Sequence, residues 1–211
     1  MDEATRQEFD RGLRLLREGK YEESIQTFRQ VLQDDPQTAQ VHYVHTNIGS
    51  ALLLQKKYRQ SVPEFQEALR INPDDTMAAH GLGYALLRLK RLDESIAASR
   101  QGLQRIENLH LAPSDKTYHN LGLASLMIGD LGAAQEACRM AIRLDPEFAL
   151  THMHLGHVYL KQENYDWAVR EYREALRLNP RLWNAKRGLV ISLILNGHLL
   201  GEMGRWLKRQ R

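Results

Sequence analysis

Glycine follows a bulky apolar residue at Ile48-Gly49, Leu82-Gly83, Leu121-Gly122 and Leu155-Gly156, and Gly12 after Arg11 forms a weaker first copy. These five glycines are 37, 34, 39 and 34 residues apart. Counted onward from each, the apolar and small positions fall into columns. Nine residues on stand Tyr21, Tyr58, Leu92, Leu131 and Tyr165; twelve on, always small, stand Ser24, Ser61, Ser95, Ala134 and Ala168. Sixteen on are Phe28, Phe65, Ser99, Cys138 and Tyr172, twenty on Leu32, Leu69, Leu103, Ile142 and Leu176, and twenty-four on Pro36, Pro73, Glu107, Pro146 and Pro180. Columns three or four residues apart inside a longer period predict helical hairpins stacked in a row. The glycine and the small residue mark close approach of two antiparallel helices, and the aromatics fill the space between one hairpin and the next. Each proline follows Asp or Asn and ends the second helix, because it lacks an N–H and disfavours helix in the residue before it.

Over about residues 5–180 this pattern resembles the tetratricopeptide repeat, whose unit carries a bulky residue, Leu-Gly, an aromatic, Ala, Phe and a closing Pro at these offsets. The resemblance implies an all-α, right-handed superhelical solenoid of five repeats with C-terminal capping helices. It predicts repeats 1–3 over residues 1–103, a longer inter-repeat loop or joint over 104–116, repeats 4–5 over 117–180 and a partial repeat with a basic capping helix over 181–211. Three departures refine this division. The third repeat has Ser99 for its aromatic, Gly102 for the usual Ala and Glu107 for Pro, and five extra residues follow it, read as a loop over 106–114. Three extra residues between Pro36 and Gly49 lengthen a loop or a helix, and Pro63 falls near the start of a second helix, where the missing hydrogen bond costs least. After Pro180 the pattern runs through Trp183 to Leu195 with Val190 in the glycine's place, and residues 199–210 are expected to form a last amphipathic helix with Leu199, Leu200, Met203, Trp206 and Leu207 on one stripe. A solenoid needs such an end piece to cover its final apolar face.

Composition narrows the chemistry. With 211 residues, 43% hydrophobic and 26% charged, the chain is a folded protein with one or two domains. Its net +3 is too small to indicate a nucleic-acid or membrane partner. Residues 1–40 carry six basic and nine acidic groups, 41–180 sixteen of each, and 181–211 seven against one, so the excess sits at the C-terminal end. The basic end supports a second reading, an assembly or regulatory factor recruited to a membrane surface or nucleic acid through residues 199–210. The single Cys138 suits a reducing compartment and a cytoplasmic location. No leader sequence is legible at the first residues, and the longest apolar run, 189–195, is far shorter than the roughly 18 to 20 residues of a membrane span. There is no Gly-rich phosphate loop, no Gly-x-Ser-x-Gly and no His-Glu-x-x-His, so no enzyme, cofactor or metal is expected. His154 and His157 share a helix face and look toward His119, but without a cysteine or carboxylate among them they make a thin metal set. Cys138, in an aromatic's place, reads as an inert buried thiol.

The resemblance places function in the concave groove lined by the first helices, which bind peptide segments of partner proteins. Positions three and two before the glycine and one and five after it should line that groove. They give Phe9, Asp10, Leu13 and Arg17; Thr46, Asn47, Ser50 and Leu54; His80, Gly81, Tyr84 and Arg88; His119, Asn120, Leu123 and Met127; Met153, His154, His157 and Lys161. Asn47 and Asn120 stand where related peptide-binding repeats keep an asparagine, whose amide can donate to and accept from a ligand backbone. Tyr84 offers an amphipathic face of the kind enriched at binding hot spots. His154 and His157 are expected to titrate near pH 6.5 and to make the second half of the groove more positive below it. No three consecutive repeats supply the Lys, Asn and Arg pattern that reads a C-terminal carboxylate, which argues against a heat-shock co-chaperone. The expected partner is therefore a protein or peptide of unassigned identity.

Overall fold

The computed structural model describes residues 3–36, 40–110 and 114–197. Among the described residues every regular element is a helix: α1 (Glu3–Arg17), α2 (Tyr21–Asp34), α3 (Val41–Leu54), α4 (Tyr58–Ile71), α5 (Thr76–Arg88), α6 (Leu92–Asn108), α7 (Asp115–Ile128), α8 (Leu131–Leu144), α9 (Ala149–Lys161), α10 (Tyr165–Leu178) and α11 (Trp183–Leu195). Consecutive odd and even helices pack as antiparallel hairpins, and each even helix also packs on the next odd one within its unit. The chain divides into two compact units at the Pro113–Ser114 bond. Helices α1 to α6 belong to the first and α7 to α11 to the second.

A turn signal repeats that the columns above had not included. Seven residues beyond each glycine position the backbone turns left-handed: Gly19 (φ 77°), Lys56 (61°), Lys90 (61°), Gly129 (90°), Glu163 (63°) and, counting from Val190, Gly197 (70°). This conformation closes the first helix. The N–H of the following residue reaches back to a carbonyl five residues earlier, as in Lys57 to Leu52 (2.8 Å), Arg91 to Leu86 (2.9 Å) and Asn164 to Tyr159 (2.9 Å). The same register at Gly197 shows that α11 is a sixth first helix.

Packing follows the predicted columns closely. A methyl group added at Gly49 would lie 2.8 Å from the Phe65 ring, and one at Gly156 2.8 Å from Tyr172. The same two rings are covered from the next hairpin by Gly81 and Gly188, where an added methyl would meet them at 2.3 Å. Each ring is thus held between two bare backbones, and Phe65 and Tyr172 are fully buried. The small column adds polar ties across the hairpin: the Ser24 and Ser95 hydroxyls donate to the Gly12 and Gly83 carbonyls at 2.9 and 2.8 Å. In the third hairpin Ser99 replaces the ring, and its hydroxyl is buried without a partner.

Two expectations change and one open alternative is resolved. Helix α6 runs through 17 residues against 14 for α4, because Glu107 does not stop it as Pro73 and Pro146 stop their neighbours. The connection expected over 106–114 therefore begins only at Leu109, and the joint over 104–116 includes the end of α6 and the start of α7. Pro63 is the sixth residue of α4, beyond the first turn, so the helix gives up one hydrogen bond, to the Arg59 carbonyl, and still continues. The insertion before Gly49 lengthens mainly the connection, since α3 has 14 residues against 13 in α5. The predicted basic helix over 199–210 lies outside the described residues. No helix among those described is long and apolar enough to cross a membrane.

Candidate functional site

Within each unit the odd helices touch one another, α1 with α3 and α3 with α5, α7 with α9 and α9 with α11, whereas the even helices make no such contacts among the described residues. Hairpins that meet along their first helices and spread along their second have an inner surface formed by the first helices. The predicted groove residues can be placed against this geometry unit by unit.

In the first unit Tyr84 and Arg88 form an organised surface feature. Arg88 Nη1 donates to the Tyr84 hydroxyl at 2.9 Å, and its guanidinium carbon lies 4.8 Å from the centre of the Tyr58 ring. Tyr58 meets Tyr84 edge-on at 6.4 Å. Tyr84 is half-buried and Arg88 exposed, and no carboxylate pairs with Arg88 among the described residues. Tyr58 was missed as a site residue because its column was assigned wholly to packing. Asn47 is half-buried and spends its amide donor on the Tyr43 carbonyl at 2.8 Å, while Ser50 donates to the Thr46 carbonyl at 2.8 Å. His80 is half-buried and engaged within the fold.

The second unit corrects two of the predicted contacts. Asn120 is 2% exposed and has its partner within the protein, so it cannot offer its amide to a ligand. His154 has its Nδ1 buried without a hydrogen-bond partner, and its ring lies 5.0 Å from that of His119. Burial, then the neighbouring His119 and His157, push its pKa down to about 3. His157, edge-on to Tyr172 at 5.3 Å, is also shifted down, by burial first and then by Lys161, against the Met153 carbonyl. The charge switch expected near pH 6.5 on these two residues is therefore displaced to lower pH, because desolvation disfavours the protonated form of both rings. The column itself explains the error. Two residues before the glycine position stand Gly81 and Gly188, pressed on Phe65 and Tyr172 of the preceding hairpin. Where the preceding hairpin carries the small Cys138, this place carries the large His154. The position serves packing between hairpins more than the inner surface. His119 places Nδ1 2.9 Å from the Thr151 hydroxyl and packs on Phe148 at 4.9 Å, while Met127 and Lys161 are exposed.

Histidines and carboxylates that the sequence left unassigned form buried or partly buried structural pairs. His42 Nδ1 lies 3.1 Å from Asp75 Oδ2, which also accepts from the Thr46 hydroxyl at 2.7 Å, while Asp75 Oδ1 caps α5 through the Ala78 N–H at 2.9 Å. His45 with Glu64 (2.7 Å) and His152 with Glu171 (2.8 Å) repeat one contact in two hairpins, four residues before the glycine to fifteen after it. Burial opposes charge on His152, but Glu171 and the Pro146 carbonyl at 3.0 Å raise its pKa, since both ring nitrogens face acceptors. Cys138 is buried, and desolvation, then Glu171, push its thiol up to about 12, out of reach of nucleophilic chemistry. Among the described residues no group of three His, Cys, Asp or Glu side chains is placed to hold a metal ion.

Sequence profiles of the tetratricopeptide repeat match residues 9–44, 46–107, 115–148 and 149–182. A cattle protein, BBSome complex member BBS4, is 28% identical over 169 residues, which is 80% of this chain and 31% of that protein. The chain thus spans about a third of the length of this curated relative. MamA (41-end) from Desulfovibrio magneticus RS-1 has a similar fold, with a TM-score of 0.73, 22% identity, and coverage of 87% of this chain and 99% of that one. YrrB, described as a tetratricopeptide-repeat protein with an unusual peptide-binding site, superposes with a TM-score of 0.68 at 17% identity, over 85% and 89% of the two chains.

Proposed function

The chain belongs to the tetratricopeptide-repeat family, and from that premise we propose that it is a non-enzymatic scaffold that holds a peptide segment of a partner protein on its first-helix surfaces. The Tyr58, Tyr84 and Arg88 cluster carries this reading. At a half-exposed surface two aromatic rings with a guanidinium over them form an apolar floor beside a cation that has no carboxylate partner among the described residues. Such a surface suits a segment that lays an apolar side chain on the rings and turns a carbonyl or carboxylate toward Arg88. Asn47, Ser50 and His80 border it in the first unit, with Asn47 keeping its amide oxygen for a ligand N–H. In the second unit His119, Met127, His157 and Lys161 are the corresponding contacts.

The test is a pull-down with the intact chain as bait beside Tyr84→Ala and Arg88→Ala. Partners bound by the original chain should be lost or weakened by about 1 to 3 kcal/mol in each variant, with little change in thermal stability. Full retention of every partner by both variants would remove the first unit's inner surface from consideration. A collapse of stability would reassign the cluster to the core.

A further inference from the structure

On the opposite, second-helix side of the second unit, α8, α9 and α10 enclose an open cleft of about 530 Å³. Its apolar surfaces come from Ile142, Leu155, Tyr159 and Trp167, and its cations are Arg139 and Arg143. Trp167 is 51% exposed although it is among the largest apolar side chains of the unit, and its ring lies 6.0 Å from Tyr159 at a shallow 32°. The Arg170 guanidinium lies over it, 4.8 Å from the ring centre. The only carboxylate in the lining, Glu171, is already joined to His152 at 2.8 Å.

The repeat itself shows that the cleft's charge is unusual. Twenty-one residues after the glycine stand Arg70, Arg143 and Arg177. Arg70 is clamped by two hydrogen bonds to Glu67 at 2.7 and 2.8 Å, and Arg177 likewise by Glu174, the shortest at 2.6 Å. In α8 the residue three before the arginine is Met140, so Arg143 lacks the partner its equivalents have. Neither Arg143 nor Arg139 forms a hydrogen bond or ion pair among the described residues. Two unpaired guanidiniums one helical turn apart, at the edge of an aromatic cleft, present the donor set of a carboxylate site.

We propose that this cleft is a second binding site, separate from the first-helix surface, for an acidic segment of a protein in which a carboxylate neighbours an apolar or aromatic side chain. The carboxylate takes Arg139 and Arg143, and the side chain lies between Trp167 and Tyr159. A nucleic-acid strand fits less well, because residues 41–180 balance sixteen basic with sixteen acidic groups and offer no extended cationic track.

The test measures anisotropy of a fluorescein-labelled twelve-residue Gly/Ser peptide containing Glu-Phe-Glu, titrated with the intact chain. Saturable binding with a Kd below about 1 mM is expected, and the matched Lys-Phe-Lys peptide should not bind. The double change Arg139→Ala and Arg143→Ala should weaken binding about tenfold or more, as should Trp167→Ala. Met140→Glu, which restores the partner present in the second and fifth repeats, should weaken it several-fold with helicity unchanged by circular dichroism. Arg177→Ala, an arginine already paired, should leave it unchanged. Because the same peptide also suits the Tyr84 and Arg88 surface, each variant is also compared in a Tyr84→Ala background, where the loss caused by Arg139→Ala and Arg143→Ala must persist, so failure here is distinct from failure of the first-helix site. The proposal is overturned if neither peptide binds, if both bind equally, or if the double arginine variant binds as the original does. Displacement by inorganic phosphate at peptide-equivalent concentrations would reduce the site to a simple anion site, and tighter binding of an oligodeoxythymidylate would make it a nucleic-acid site; either outcome also overturns it.

Discussion

Lys90 holds a left-handed conformation (φ 61°) at a place where Gly19, Gly129 and Gly197 stand in other repeats. That conformation costs a residue with a Cβ about 1 to 2 kcal/mol, and glycine loses about 0.5 to 1 kcal/mol of chain entropy in exchange. Lys90→Gly should therefore stabilise the first unit by roughly 0.5 to 1 kcal/mol in chemical denaturation; lower stability would mean that the lysine stem contributes packing that outweighs strain. His154 makes a prediction of opposite character. Its pKa falls from the ordinary 6.5 to about 3 on folding, so the unfolded chain binds the extra proton first. The neutral ring's contribution is complete above about pH 6.5 and is lost as pH falls toward 3, by up to about 1.4 kcal/mol per pH unit. His154→Leu should flatten the fall in melting temperature between pH 6.5 and 5. An unchanged slope would assign the acid sensitivity to other groups, since His152, whose pKa is raised, acts in the other direction by adding stability at low pH that fades as pH rises past its folded value.

Between elements, short polar ties set how one hairpin seats on the next. Asp75 caps α5 and, with its other oxygen, holds His42 and Thr46 of α3, so one buried carboxylate fixes the start of one first helix against the middle of another. Asp75→Ala removes the cap, worth about 1 kcal/mol, and takes the carboxylate from the buried His42 imidazole at about 1 to 3 kcal/mol more, while the Thr46 hydroxyl keeps the His42 carbonyl at 2.9 Å. A total loss of about 2 to 4 kcal/mol is expected in the first unit, measured by denaturant unfolding; Asp75→Asn should retain part of it. A loss below about 0.5 kcal/mol in Asp75→Ala would show that water replaces the network at little cost. The element lengths were set partly by what was missing. Pro73, Pro146 and Pro180 end α4, α8 and α10 cleanly, whereas α6, without its proline, continues to Asn108.

For the whole molecule, the boundary at Pro113–Ser114 gives a cleavage prediction. Each side of it packs within itself, so a nonspecific protease at low concentration should cut first between 109 and 114 and leave two helical fragments. First cuts within α8 to α10 would contradict that division. The repeat, the hairpins, the bare glycines and the aromatic column were legible in the sequence because each hairpin imposes the same local demands, and identical demands recur as columns. The left-handed position was less legible, because Lys56, Lys90 and Glu163 occupy it without glycine's signature. The site was legible only by register. Tyr84 and Arg88 stand at a surface as their positions implied, but Asn120 is buried and His154, in a similar position, has its Nδ1 buried. Sequence spacing determines which side of a helix a residue occupies; how far that side is covered depends on the volume of side chains donated from the next hairpin, and on this only the tertiary structure decides. Charge divides in the same way: Met140 in the sequence already marks Arg143 as lacking the partner that Arg70 and Arg177 have, but only the tertiary structure sets it beside an aromatic cleft.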